Sequence, residues 1–500
     1  MFILLEYRQG NRVRPAYRNS YHMDQYQYDI IVIGCGSGGL SIGLSMGTMG
    51  FRVLMVSRSD RDIGGECLND GCVPSKSLIY AAKSAHHAKQ AQQFGLSLTG
   101  SIDIEKVTAY ITNRQEKIRT HENAAWLREQ GIDVALGEGF FVGKREIEVN
   151  GTRYTAKKIV IATGSSPTKL RVPGVENVTY YDNENFFELA TLPKRLLVVG
   201  AGPIGMEISQ AMCRLGSDVT LVSHGKRALP HDDEKVTAVL VKRLEKEGIT
   251  FHFGAEVSHF ISPNEAVVVR SSGNAQHVHF DAVLVAVGRE IRLESLRLKN
   301  AGIAVTDNKI KTDAYLRTTN KHVFVCGDVA GSLQFSHAAE FHARILLNNF
   351  FSPFRKKLRN DHFSWVTFTD PEVATFGLNE EALNARNISY TKLDHRFKDD
   401  DRAVTDDYQY GRLILYLSSK NLVGKQRILG GTMVAPNAGE LVQELILANS
   451  QGLSINAIFN KIYPYPTASR INQAAIIKWK SEGLGPLAKR LLHIAYKVFS

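Results

Sequence analysis

The chain has 500 residues, 44% of them hydrophobic and 22% charged, which allows a sizeable core and roughly two to four domains. Its five cysteines (Cys35, Cys67, Cys72, Cys213, Cys326) are too few and too unevenly spaced for a secreted disulfide framework, so a reducing, cytoplasmic compartment is expected. The net charge of +11 suits anionic ligands, but no basic-aromatic ladder accompanies it, and a nucleic-acid partner is not expected.

Residues 1–22 carry four arginines and one glutamate without a signal-peptide apolar block, and Met23-Asp24 directly precedes the first strand, so an upstream start assignment is the preferred explanation. No apolar run reaches the roughly 18 to 20 residues of a membrane span. Tyr28-Asp29-Ile30-Ile31-Val32-Ile33 reads as a buried strand, followed by Gly34-Cys35-Gly36-Ser37-Gly38-Gly39 and a small-residue helix to Gly50. Strand, GxGxxG turn and helix make a dinucleotide-binding start, with pyrophosphate at the helix N-terminus.

Next comes Ile63-Gly64-Gly65-Glu66-Cys67-Leu68-Asn69-Asp70-Gly71-Cys72-Val73-Pro74-Ser75-Lys76. On a regular helix, cysteines five apart would diverge by about 140°, whereas a disulfide needs facing side chains. Asn69-Asp70-Gly71 therefore turns the chain, and Val73-Pro74 suits a helix start with Cys72 at its positive end, where a thiolate is favoured. A redox-active pair is the preferred reading; a structural disulfide and two unrelated thiols are the alternatives.

The dinucleotide pattern recurs as Arg195-Leu196-Leu197-Val198-Val199 and Gly200-Ala201-Gly202-Pro203-Ile204-Gly205, so two dinucleotides are implied. The usual ribose-binding acid is absent from both, because Ser57 and Ser223 each stand 18 residues after the last glycine. Asp60 or Asp62 is a substitute at the first site. At the second, Ser223, Lys226 and Arg227 offer hydroxyl and cationic groups that favour NADPH over NADH. Ile159 to Gly164 and Val283 to Arg289 read as buried strands ending in small-residue turns, and Val323 to Val325 leads into Cys326-Gly327-Asp328.

The cysteine string resembles the active-site signature of the pyridine nucleotide-disulfide oxidoreductases, flavoproteins that include lipoamide dehydrogenase, glutathione reductase and mercuric reductase. The other stretches follow that family's order from about residue 28 to residue 480. The resemblance implies an α/β fold with two Rossmann-like three-layer domains, one for FAD and one for NAD(P), plus a C-terminal α+β dimerisation domain that makes a homodimer. The corresponding division is 1–23 as an N-terminal extension, 24–166 with 292–351 for FAD, 167–291 for NAD(P), 352–482 for dimerisation and 483–500 as a basic amphipathic tail.

The resemblance also implies roles. Gly34, Gly36, Ser37, Gly38, Gly39, Gly65, Ala162, Thr163, Gly164, Gly327, Asp328, His337 and Ala338 would serve FAD. Gly200, Gly202, Pro203, Ile204, Gly205, Gly288 and Arg289 would serve the nicotinamide nucleotide. Lys76 and Glu207 would pair beside both cofactors, where a cation helps stabilise reduced-flavin charge. Cys72 would meet the flavin and Cys67 the acceptor.

One departure concerns the acceptor. Where lipoamide dehydrogenase and glutathione reductase supply His-Pro and a later Glu, this chain has Tyr465-Pro466 and Arg470. Tyrosine, with a reference pKa near about 10, is a poor base at neutral pH. Mercuric reductase also carries tyrosine there, and a soft metal binds thiolates directly, although no cysteine follows Cys326. The expected enzyme passes electrons from NAD(P)H through FAD and Cys67-Cys72 to a disulfide or soft-metal acceptor. The alternatives are a dihydrolipoamide dehydrogenase, a quinone electron transferase and a non-catalytic flavin-bound sensor. The histidines, His86-His87 included, lack metal-ligand spacing, so no bound metal is expected.

In the tail, Leu487, Leu491, Ile494 and Val498 fall on helical spacing, with Lys489, Arg490 and Lys497 elsewhere around the axis. A helix packed on its own domain is the preferred expectation, and peripheral contact of residues 485–500 with an anionic membrane is the alternative.

Overall fold

A computed structural model of the protein describes residues 25–420 and 425–500. The expected extension, residues 1–23, lies outside the described residues. The chain divides into two compact units.

The first unit comprises residues 1–65, 119–165 and 291–358. Strand Tyr28–Ile33 runs parallel to Val53–Ser57 on one side and Thr152–Ile161 on the other. Asp133–Leu136 and Val323–Val325 extend the parallel sheet, and an antiparallel ribbon, Gly139–Gly143 with Glu146–Val149, continues beyond Thr152–Ile161. Ile30, Ile31, Val32, Ile159, Val160 and Ile161 are fully buried, as expected where helices cover a parallel sheet on both faces. Helices Ser37–Thr48 and Ser336–Phe351 pack on one another, closely enough that a Cβ on Gly38 would meet the Cys326 Sγ at 2.7 Å.

The second unit comprises residues 66–118, 166–290 and 359–500. Its first layer is a parallel sheet in the order Thr250–Phe253, Asp218–Ser223, Arg195–Val199, Ala282–Val285 and Tyr180–Tyr181. Residues 66–118, expected inside a continuous FAD-binding segment 24–166, fall in this unit. They group here because Leu78 and Ala82 of helix Cys72–Gln90, with Ile104, Val107 and Ile111, share one apolar cluster with Met206, Met212 and Leu240. The C-terminal part is a five-stranded antiparallel sheet, Ser364–Thr367, Glu372–Gly377, Ile428–Ala435, Arg412–Ser418 and Tyr390–Arg396 in spatial order, with helices such as Arg470–Glu482 packed near it. The architecture is thus two Rossmann-like sheets followed by a C-terminal α+β domain.

The tail corrects an expectation. Helix Pro486–Phe499 forms, but no residue of it is buried, so it is not packed on its own domain. Among the described residues, none covers its apolar face. Among the described residues no helix is long and apolar enough to cross a membrane.

Candidate active site and nucleotide cradles

The two glycine turns are built alike. Gly34 sits at φ +107°, and a Cβ there would lie 2.2 Å from the Ala162 carbonyl oxygen; Gly200 sits at φ +116°, 2.2 Å from that of Ala286. One turn later, a Cβ on Gly39 would meet the Gly34 carbonyl oxygen at 2.0 Å, and one on Gly205 that of Gly200 at 1.9 Å. Only hydrogen fits. These contacts bring strand and helix together so that the first turns of helices Ser37–Thr48 and Pro203–Leu215 begin at Gly36 and Gly202 with no side-chain cap. Uncapped N–H groups over a glycine turn suit a pyrophosphate, and both cradles therefore fit a dinucleotide. Gly65, at φ +61°, closes against Gly36 in the first, while Gly164 and Gly288 have open space where a Cβ would stand.

Polar residues around the cradles are more committed than their types suggest. Ser57 is buried and donates to the Ser59 carbonyl at 2.9 Å. Asp60 accepts from the Ala124 amide at the start of helix Ala124–Glu129 at 2.7 Å, and Asp62 from the Ser59 hydroxyl at 2.8 Å, so Asp60 ties the loop to that helix and Asp62 braces the loop itself. At the second cradle, the Arg227 guanidinium donates to the carbonyls of Leu229, Pro230 and Asp232. Lys226 is exposed and Ser223 half-buried, leaving Lys226 as the outward-facing cation of the trio. Ile204 and Pro203 begin the helix.

Next to the Gly34 turn, Ser165 donates to Asp328 Oδ2 at 2.6 Å, tying Ala162-Thr163-Gly164 to the Gly327-Asp328 turn. The Gly327 amide donates to His342 Nδ1 at 3.2 Å. Burial pushes the His342 pKa down to about 4, so the ring is neutral and its Nδ1 is an acceptor. Sequence reasoning missed His342, one helical turn beyond Ala338. His337 is exposed beside Phe335 and Ala338 is buried.

The cysteine segment turns as its residues demand. Helix Gly65–Asn69 carries Cys67, the chain breaks at Asp70-Gly71, and Cys72 is the first residue of the 19-residue helix Cys72–Gln90, with Pro74 in its first turn. Cys67 is half-buried and Cys72 exposed. The other thiols lie in unreactive settings: burial pushes Cys35 up to about 12, Cys326 still higher, and Cys213 upward as well.

Three distant side chains hold the turn. The Gln115 amide donates to the Leu68 and Asn69 carbonyls at 3.0 and 2.7 Å, satisfying the end of the short helix. Asn183 donates to Glu66 Oε1 at 3.0 Å and to the Asp70 carbonyl at 3.4 Å. Arg289 clasps both carboxylate oxygens of Glu66. The Arg289 fork lies on the residue before Cys67, the bidentate geometry that makes arginine-carboxylate pairs rigid.

Behind Cys72, Lys76 donates to Glu207 Oε2 at 2.9 Å. Glu207 is only 4% exposed and its other oxygen accepts the Phe368 amide at 2.8 Å. The Phe368 ring lies 4.5 Å from Lys76 Nζ, so the ammonium is held between a carboxylate and an aromatic face. Two helical turns away on the apolar side, Arg214 bonds Glu247 at 2.7 and 2.8 Å and Asp370 at 2.9 Å. This triad, with Gln210 donating to the Asp370 carbonyl at 2.6 Å, anchors the Phe368-Asp370 strand end to helix Pro203–Leu215.

Tyr465 is 65% exposed and donates to Asp401 Oδ2 at 3.0 Å, with the Arg470 guanidinium 5.4 Å from its ring centre. The hydrogen bond to Asp401 and that carboxylate's charge push its pKa up, and burial with Glu444 does the same to Tyr463. Both phenols are protonated donors at neutral pH, not bases.

Comparison with known proteins agrees with this arrangement. Residues 28–343 match the family described as pyridine nucleotide-disulphide oxidoreductase, and residues 363–475 match the dimerisation domain of the same family. A mercuric reductase of Bacillus cereus is 30% identical over 461 residues, covering 91% of this chain and 72% of the relative. A dihydrolipoyl dehydrogenase of Thermus scotoductus is 34% identical over 449 residues, covering 88% and 95%. The solved HOCl-induced flavoprotein disulfide reductase RclA from Escherichia coli shares the fold at TM-score 0.77, with 24% identity over 89% of this chain and 98% of that one. With two glycine cradles, a cysteine pair on a helix start and a dimerisation domain in that order, the chain belongs to the pyridine nucleotide-disulphide oxidoreductase family, whose members are FAD-dependent oxidoreductases using NAD(P)H.

Proposed function

We propose that this protein is a homodimeric NAD(P)H-dependent reductase that moves electrons through FAD to Cys67 and Cys72 and on to a disulfide or soft-metal acceptor. The observation that carries this reading is the cysteine turn itself: Cys72 opens a long helix, Cys67 stands half-exposed on the preceding one, and Gln115, Asn183 and Arg289 fix the turn between them. When bound in their cradles, FAD and the nicotinamide supply a two-electron relay to the cysteine pair.

The chain's own residues do the rest. The pyrophosphates would be held by the amides following Gly36 and Gly202, with Asp328 and Ser165 beside the flavin and Lys226 meeting a 2′-phosphate, which favours NADPH. Lys76, immobilised by Glu207 and Phe368, would hold positive charge near the reacting groups. The helix start stabilises Cys72 as thiolate. Two electrons and one proton convert the Cys67-Cys72 disulfide to a Cys67 thiol and a Cys72 thiolate, and Cys67, once its proton leaves to solvent, is the sulfur that attacks an acceptor disulfide or ligates a metal ion.

Tyr465 supports one class of acceptor over the other. As a protonated phenol bonded to Asp401, it gives no base for thiol exchange but does provide a hydroxyl donor. That chemistry favours a soft metal ion, which thiolates bind without proton shuttling, over lipoamide or glutathione.

The test is anaerobic titration of the purified holoprotein with NADPH and with NADH, with thiols alkylated before and after reduction. Two new alkyl labels, on Cys67 and Cys72, together with long-wavelength thiolate absorbance, support the reading. Flavin bleaching without new labels moves the function to direct electron transfer to a quinone-like acceptor. No reduction by either nucleotide leaves the sensor reading.

A further inference from the structure

Helix Pro486–Phe499 lies beyond residue 475, where the match to the family's dimerisation domain ends, and the proposed reductase makes no use of it. Placing its residues at about 100° intervals divides the circumference into two arcs. Leu487, Leu491, Ile494 and Val498 line one side of the apolar arc, Leu492 and Phe499 line its other side with Ala488 and Ala495 between them, and the whole spans roughly 160°. Lys489, Arg490, His493 and Lys497 occupy the other, with Tyr496 at the border. The apolar residues are exposed, Leu487 at 72% and Phe499 at 89%. From residue 483 to residue 500 there is no aspartate or glutamate.

We infer that this helix binds the surface of an anionic phospholipid bilayer, lying in the interface with its apolar arc among the acyl chains and its cations at the headgroups. Two features favour a bilayer over a second copy of the chain. A helix pair buries a narrower seam, whereas a helix lying in a membrane interface buries about half its circumference. The exclusively cationic polar arc gains from anionic headgroups, whereas two copies would set like charges side by side. Lysine and arginine stems also reach outward over apolar surface while keeping their charged ends in water, and tyrosine belongs at such a border. The helix would hold the reductase at the membrane face without spanning it.

Vesicle sedimentation tests this with the full-length holoprotein, a form lacking residues 485–500 and the triple variant K489E/R490E/K497E. Vesicles are phosphatidylcholine alone or mixed with phosphatidylglycerol. The full chain is expected to sediment with the anionic vesicles and at least about tenfold less with neutral ones, with added salt weakening it. The truncated form stays in solution, and the triple variant loses at least about tenfold. The flavin spectrum and NAD(P)H oxidation of the truncated form are expected to match those of the full chain, showing that the rest of the protein is folded. Equal binding by full-length and truncated forms overturns the inference, as does a full chain that ignores anionic vesicles. A change in subunit number on truncation, seen by sedimentation velocity, also overturns it by placing a second copy on the apolar face.

Discussion

Replacing Glu207 separates the two things its carboxylate does. One oxygen holds Lys76 at 2.9 Å and the other accepts the Phe368 amide at 2.8 Å. Across 2.9 Å, the bare attraction at an effective dielectric of about 20 is roughly 6 kcal/mol. Desolvating a carboxylate that is 4% exposed offsets much of this, and Lys76 keeps contact with water, so the net value of the charged bond is about 2 kcal/mol. Glu207→Gln keeps a neutral acceptor for the amide and loses chiefly that term. Glu207→Ala also strands the Phe368 N–H, adding about 2 kcal/mol.

Hydrogen exchange at the Phe368 amide reads the difference directly. At 1.4 kcal/mol per factor of ten, Glu207→Gln is expected to speed exchange about 30-fold and Glu207→Ala about a thousandfold. Equal acceleration in the two variants would mean the amide bond carries nothing. Less than about threefold in both would refute the assigned role of the carboxylate in holding this strand end.

Arg214→Met leaves the half-buried Glu247 and Asp370 without their buried cation and is expected to lower stability by about 3 kcal/mol in urea unfolding. Burial pushes the Asp370 carboxyl up, but Arg214 and Lys83 outweigh it and hold it below the ordinary range. Its stabilising share is therefore present above about pH 4 and lost as pH falls through the depressed native value, so the gap between the native chain and Asp370→Asn should close on acidification. Gly205→Ala, which would place a Cβ 1.9 Å from the Gly200 carbonyl oxygen, is expected to abolish NADPH and NADH binding in calorimetry while FAD stays bound; Gly39→Ala should do the reverse, costing the flavin. Tyr465→His puts an imidazole beside Asp401 and should raise turnover with a disulfide acceptor at least about tenfold, with a new inflection near pH 6.5 to 7 in the rate profile. A flat profile would show that proton transfer at this position does not limit exchange.

Much of the fold was legible along the chain because local rules govern it. The buried runs Ile30 to Ile33 and Leu196 to Val199 announce strands, and the glycines that follow announce turns, since close packing of strand on helix excludes a Cβ wherever it occurs. Asn69 to Gly71, then Pro74, likewise mark the break and restart of the helix around the cysteines. The tail's composition announces a helix, but whether it packs depends on what surface is left for it, and the sequence does not contain that information.

Which side chains hold the site was a different matter. Nothing near Glu66 indicates that Arg289, 223 residues away, will clasp it, nor that Asn183 and Gln115 will complete the cysteine turn. The sequence by itself determined the two dinucleotide cradles, the cysteine pair on its helix start and the absence of a histidine base at position 465, because backbone conformation and reactive groups are set residue by residue. Only the tertiary structure decided that Arg227 is spent on backbone carbonyls, that Arg289 serves the cysteine turn, that Phe368 and Glu207 enclose Lys76, and that none of the described residues buries the tail helix: partner choice among polar groups depends on which of them folding brings within about 3 Å.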